Sequence, residues 1–127
     1  MLFSQALHPF FLLYGDLGVG KTQFAKYIGN MIGVSETEII SPTFSYIREY
    51  QGENDTSFFH FDLYRCDEER NADILIKEYM EHFSTAVVCI EWSERLSVDF
   101  TEYLCSLGFQ KLYFSCDNTQ RFIELLS

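Results

Sequence analysis

Basic side chains are scarce in this chain. Lys and Arg together number 9 against 19 Asp and Glu, which gives a formal charge of −10. Such a balance lacks the cationic surface that a stand-alone nucleic-acid binder needs for counterion release. The excess of acid serves solubility, or an acidic face that docks a basic partner. Proline is almost missing, with 2 residues, so a Pro-rich linker is excluded. The 4 cysteines, Cys66, Cys89, Cys105 and Cys116, form no C-x-x-C pair. They read as free thiols of a reducing compartment rather than disulfides or metal ligands. No basic segment precedes the first apolar stretch, so that stretch does not read as a signal peptide. No apolar run approaches the ~18–20 residues of a membrane span. These features together predict a cytoplasmic protein away from the membrane.

What remains is ordinary for a globular chain: 127 residues, 47% hydrophobic, with 13 Phe and 8 Tyr. That length predicts one domain over residues 1–127, burying roughly two-thirds of its unfolded surface. Phe10 to Tyr14 is a short aromatic and aliphatic run that reads as a buried strand. From Lys21 to Ile32 the period changes to that of a helix, closed by Gly33. Phe44 to Tyr50 alternates like a strand, Gln51 to Thr56 reads as a turn, and Ser57 to Phe61 is a second apolar run. Ala72, Leu75, Ile76, Tyr79, Met80 and Phe83 keep helical spacing, and Thr85 to Ile90 is a third buried strand. Asp99 to Leu107 reads as a short helix, and Leu112 to Cys116 and Phe122 to Leu126 as final strands. Strands alternating with helices predict an α/β fold with a mostly parallel sheet and an antiparallel hairpin portion over Phe44–Phe61.

The segment between the first strand and the first helix carries the chemistry. Gly15, Asp16, Leu17, Gly18, Val19, Gly20, Lys21 and Thr22 fit G-x-x-x-x-G-K-[ST]. A chain this long matches by chance on the order of half a percent of the time, and the strand before and helix after are the context the pattern requires. Glycines let consecutive backbone N–H groups wrap phosphate oxygens. The start of the helix turns its positive end to the same anion. Lys21 is predicted to reach the β- and γ-phosphates, and the Thr22 hydroxyl to ligate Mg²⁺.

A nucleotide–magnesium site also needs a carboxylate at the end of a neighbouring strand. Asp62 follows the apolar run Phe58-Phe59-His60-Phe61, and Glu91 follows Val87-Val88-Cys89-Ile90. Mg²⁺ takes one or two carboxylates plus phosphates and waters, so both are candidates. Thr43 is either a switch residue sensing γ-phosphate or a turn hydroxyl before a strand. Trp92 is either core or an exposed partner anchor. Arg65 and Arg95 pair either with phosphate or with local Asp and Glu, structural pairing being the commoner outcome, and the His residues show no metal-ligand spacing.

Four segments occur here together: GDLGVGKT at Gly15–Thr22, SPTF at Ser41–Phe44, HFDLYR at His60–Arg65 and IEWSERL at Ile90–Leu96. Their order and spacing resemble the TsaE (formerly YjeE) family of bacterial ATPases, required for tRNA threonylcarbamoyladenosine biosynthesis. The resemblance covers roughly Phe11 to Leu96. It implies a P-loop NTPase-like three-layer α/β/α sandwich that binds ATP/ADP with Mg²⁺ and hydrolyses ATP slowly. It implies the partners TsaB and TsaD, of which TsaD modifies the adenosine next to the anticodon, with tRNA met only indirectly. Residue by residue it assigns Lys21 to phosphate, Thr22 and Glu91 to the metal, Asp62 to hydrolysis, Thr43 to a switch-like position and Trp92 to a functionally sensitive aromatic. Family members usually carry a further strand and helix before the P-loop strand, which help to hold the base. Only Met1 to Pro9 precede it here, so that pair is expected to be missing or truncated. The competing functions are a non-catalytic nucleotide-gated binding module and a small-molecule or nucleotide kinase.

Overall fold

The computed structural model describes residues 9–15, 20–35, 39, 45–117 and 120–126. Its centre is a sheet of six strands in the order β2-β3-β4-β1-β5-β6. The strands are β1 (Phe10–Tyr14), β2 (Ile47–Gln51), β3 (Ser57–Asp62), β4 (Ala86–Glu91), β5 (Gln110–Cys116) and β6 (Arg121–Leu126). The inner pairs β3–β4, β4–β1 and β1–β5 are parallel, and the outer pairs β2–β3 and β5–β6 are antiparallel. The helices are α1 (Lys21–Met31), α2 (Ala72–Tyr79) and α3 (Val98–Ser106).

Inner parallel strands are covered on both faces, which is why β3 and β4 read as nearly unbroken apolar runs. Side chains still alternate between the faces. Leu13, Phe58, Val87, Cys89 and Phe114 pack with Ala25 and Ile28 of α1. Leu12, Phe59, Phe61, Val88 and Ile90 pack with Leu75 and Ile76 of α2 and with Phe100 and Leu104 of α3. Two cores on opposite faces make the three-layer α/β/α arrangement. Phe58 and Phe61 are both fully buried, and burying each contributes about 2–3 kcal/mol.

Local chemistry sets the ends of the elements. The Asn71 side chain caps α2 by accepting the Ile74 N–H at 3.1 Å, and Ser97 caps α3 by accepting the Phe100 N–H at 3.1 Å. The hairpin between β2 and β3 turns through Asn54 and Asp55, both at positive φ (56° and 59°), as a tight primed turn needs. Gln51 pairs with Ser57, so β2 runs one residue further than the expected Tyr50. It also starts later, at Ile47, because Tyr46 sits at φ 61°. The helix expected to run on to Phe83 stops at Tyr79 and tightens into a 3₁₀ turn, Met80–Thr85. The chain must re-enter the sheet at Ala86, and the tighter winding still seats Phe83 in the core. At the far edge, β6 leaves Ile123 56% and Leu125 65% exposed.

Candidate functional site

The site lies where β1, β3 and β4 end on the same side of the sheet. β1 gives way to Gly15, whose φ of 126° is open to glycine and strained for other residues. A Cβ there would run into the backbone carbonyl of Phe114. Gly20 precedes α1 at φ 102°. The next two residues, Lys21 and Thr22, open the helix. Asp16, Leu17, Gly18 and Val19, all candidate phosphate-loop residues, lie outside the described residues, as does Thr43.

The register of the parallel strands does the assembling. Asp62 of β3 pairs with Glu91 of β4, and Leu13 of β1 pairs with Glu91 from the other side. Alternation puts His60, Asp62, Cys89 and Glu91 on the sheet face that carries α1. The Thr22 hydroxyl therefore reaches the Glu91 carboxylate, donating at 3.2 Å to Oε2 with Oε1 at 3.4 Å. Lys21, His60 and Glu91 are all buried, at 3%, 0% and 4% exposure. Asp62 is half-buried, and its Oδ1 accepts the Tyr64 N–H at 3.0 Å.

Lys21 donates from Nζ to the Gly15 carbonyl. The same ammonium stands 4.1 Å from the centre of the Trp92 ring, a contact that gains strength when desolvated. Trp92 follows Glu91 at φ 59°, in the left-handed region, which swings its ring across the site. Tyr64 lies beside it, with ring centres 4.8 Å apart and the planes tilted by 48°. Arg95 sits 5.7 Å from the Trp92 ring and donates from Nε to the Tyr64 carbonyl at 3.3 Å. Among the described residues Arg95 thus meets aromatic faces and a carbonyl rather than a local acid. Trp92 is half-buried against the core, between the two alternatives the sequence left open.

Sequence reasoning missed two contacts. His60 Nε2 lies 2.5 Å from Glu91 Oε2, and the Gly15 N–H donates to Glu94 Oε2 at 2.9 Å. Alternation alone puts His60 and Asp62 on one face, which was the available signal for the first contact. Two thiols and a phenol nearby are held neutral. Burial, and then the Glu91 carboxylate, push the Cys89 thiol well above its ordinary range. Burial first, and then the charges of Cys105 and Glu94 outweighing a Thr101 hydrogen bond, push Tyr14 up to about 12. Burial likewise raises Cys66.

The residues present suit a magnesium–nucleotide. Among the described residues no side chain caps α1 and no acid stands in its first turn, so its positive end is open to an anion. No group of three His, Cys, Asp or Glu among the described residues is arranged to hold a metal. A hard cation beside Thr22 and Glu91 would complete its shell with phosphate oxygens and water, as Mg²⁺ does.

Comparison with known proteins identifies the family. The sequence model of the family described as "Threonylcarbamoyl adenosine biosynthesis protein TsaE" matches residues 2–121. A relative from Rickettsia conorii, named tRNA threonylcarbamoyladenosine biosynthesis protein TsaE, is 34% identical over 99% of this chain and 69% of its own. Relatives of the same name from a Nostoc species and from Treponema pallidum are 37% and 35% identical, over 73% and 80% of this chain. The chain spans 57% of the Nostoc relative and 72% of the Treponema one. With a family match running almost from end to end, this chain belongs to the TsaE family.

Proposed function

We propose that the protein is a magnesium-dependent ATPase that supports tRNA threonylcarbamoyladenosine biosynthesis in the cytoplasm, together with TsaB and TsaD. The observation that carries the reading is the contact between the Thr22 hydroxyl and the buried Glu91 carboxylate, 3.2 Å apart at the start of α1 and the end of β4. A hydroxyl beside a lysine at a helix N-terminus, facing a strand-end carboxylate, is the donor set for a metal-bound triphosphate. The family name gives the pathway.

In this reading the loop Gly15–Thr22 and the α1 N-terminus bind the phosphates, and Lys21 leaves the Gly15 carbonyl to pair with them. Thr22 and Glu91 would hold Mg²⁺, which when bound neutralises phosphate charge and orients the leaving group. Asp62, beside Glu91 in register, orients the attacking water. Thr43 senses the γ-phosphate. The half-buried Trp92, bracketed by Lys21 and Arg95, links the phosphate loop to the outer surface. The acidic chain meets tRNA only through its partners. No helix among the described residues is long and apolar enough to cross a membrane.

The test is phosphate release from ATP, measured alone and with TsaB and TsaD. Slow release that rises with the partners is expected. Tight nucleotide binding without turnover even with the partners would replace this reading with a nucleotide-gated binding module. Transfer of phosphate to an added nucleoside would point to a kinase.

A further inference from the structure

His60 is the one polar residue in the run Phe58-Phe59-His60-Phe61, and it is fully buried. The Phe58 ring lies 6.0 Å away at 14°, and its register partners are Cys89 on β4 and the exposed Arg48 on β2. A phenyl ring would suit such surroundings, because a buried imidazole must recover the hydrogen bonds it loses to water. Nδ1 recovers none among the described residues. Among the described residues Nε2 makes a single contact, to Glu91 Oε2 at 2.5 Å. A carboxylate accepts only, so Nε2 is the atom that carries the proton.

The same Glu91 carboxylate takes the Thr22 hydroxyl at 3.2 Å and 3.4 Å. It is thus held from two elements, by α1 through Thr22 and by β3 through His60. A polar ring placed in an aromatic run, bonded on one side only, serves the residue it touches. We propose that His60 is a positioning residue that fixes the rotamer of Glu91, so that the carboxylate meets a magnesium ion without first being ordered. The inference rests on the reading of Glu91 as the magnesium-side carboxylate. Partners of this kind set ligand orientation, and losing one costs about 10–100-fold in metal affinity.

The test uses His60→Phe, His60→Gln and Glu91→Gln, with ADP binding followed by calorimetry in EDTA and across a Mg²⁺ titration. His60→Phe keeps the ring and removes the donor, while the Gln amide places an N–H near the Nε2 position. His60→Phe is expected to bind ADP in EDTA as the unaltered protein does, yet to need at least about tenfold more Mg²⁺ for its metal-enhanced affinity, with His60→Gln within about threefold of the unaltered protein. An unchanged Mg²⁺ requirement in His60→Phe, or His60→Gln as impaired as His60→Phe, overturns the proposal. If Glu91→Gln keeps the ordinary Mg²⁺ requirement, the metal reading of Glu91 falls and this inference with it. If Glu91→Gln loses that requirement while His60→Phe retains it, only the His60 inference falls. Long-range ¹H–¹⁵N spectra of the unaltered protein give a readout free of metal and of mutation. They should show the His60 proton on Nε2, and a proton on Nδ1 alone would refute the contact.

Discussion

Lys21 and Trp92 are joined at the mouth of the site, with the ammonium 4.1 Å from the centre of the indole. The lysine that the proposed reading gives to phosphate is therefore held in place by the ring that follows Glu91. Trp92 is the chain's only tryptophan, so tryptophan emission reports on the surroundings of this one ring, the Lys21 ammonium among them. Adding ATP with Mg²⁺ is expected to change tryptophan fluorescence as Lys21 turns to the phosphates. Lys21→Ala should lose that change and bind nucleotide about 100-fold more weakly, the scale of one strong charge-assisted hydrogen bond.

Asp62 and Glu91 end adjacent strands in register, yet their expected roles differ. Glu91→Ala should cut Mg²⁺-dependent phosphate release about 100-fold, as loss of one electrostatic contact at a reacting centre does. Metal-free nucleotide affinity should persist. Asp62→Asn should slow release by a similar about 100-fold and leave the Mg²⁺ requirement as it was. Steady-state rates across a Mg²⁺ series separate the two, and equal Mg²⁺ curves for both variants would contradict the assignment.

Gly15 has no room for a side chain, since a Cβ meets the Phe114 carbonyl. The positive φ alone costs another residue about 1–3 kcal/mol. Gly15→Ala should lower unfolding stability by about 2 kcal/mol or more and weaken nucleotide binding with it. Urea denaturation and a binding titration on the same preparation check both effects.

Tyr14 holds its proton up to about 12, against an ordinary 10.0. Above pH 10 the unfolded chain releases a proton that the folded chain keeps, so the contribution of Tyr14 to stability is full below pH 10 and is lost between 10 and 12. The raised Cys66 and Cys89 thiols act in the same direction from their ordinary 9.0 upward. Tyr14→Phe should flatten the part of the decline between pH 10 and 12. Denaturation midpoints at several alkaline pH values would show this.

The thiols differ in burial: Cys116 is exposed, Cys105 intermediate, Cys66 and Cys89 buried. A thiol reagent at neutral pH should label Cys116 first and Cys105 more slowly. Cys66 and Cys89 should react only as the protein opens. Peptide mapping by mass spectrometry after timed labelling gives the order.

Much of the architecture was legible because it is local. Apolar runs stopping at Tyr14, Asp62 and Glu91 announced three strand ends, and the change of period after Lys21 announced α1. The tightening of α2 into a 3₁₀ turn at Met80 was hidden, because Phe83 stays buried in either geometry. The contacts His60–Glu91 and Gly15–Glu94 span 31 and 79 residues of chain. They depend on the register of β3 against β4 and on the course of the chain after Trp92. Neither is written in spacing along one segment. The same holds for Arg95, whose aromatic partners come from the turn after β4 and the end of β3.

The pairing of Asp62 with Glu91 also limits how this chain can vary. Strand side chains alternate, so one residue added or lost in β3 before His60 would turn His60 and Asp62 to the face of α2 and α3. Phe61 would come round to the face of α1 in their place. Insertions and deletions in β3 should therefore survive only in even numbers, or where the Gly52–Thr56 turn absorbs them. Point substitutions have no such parity to respect.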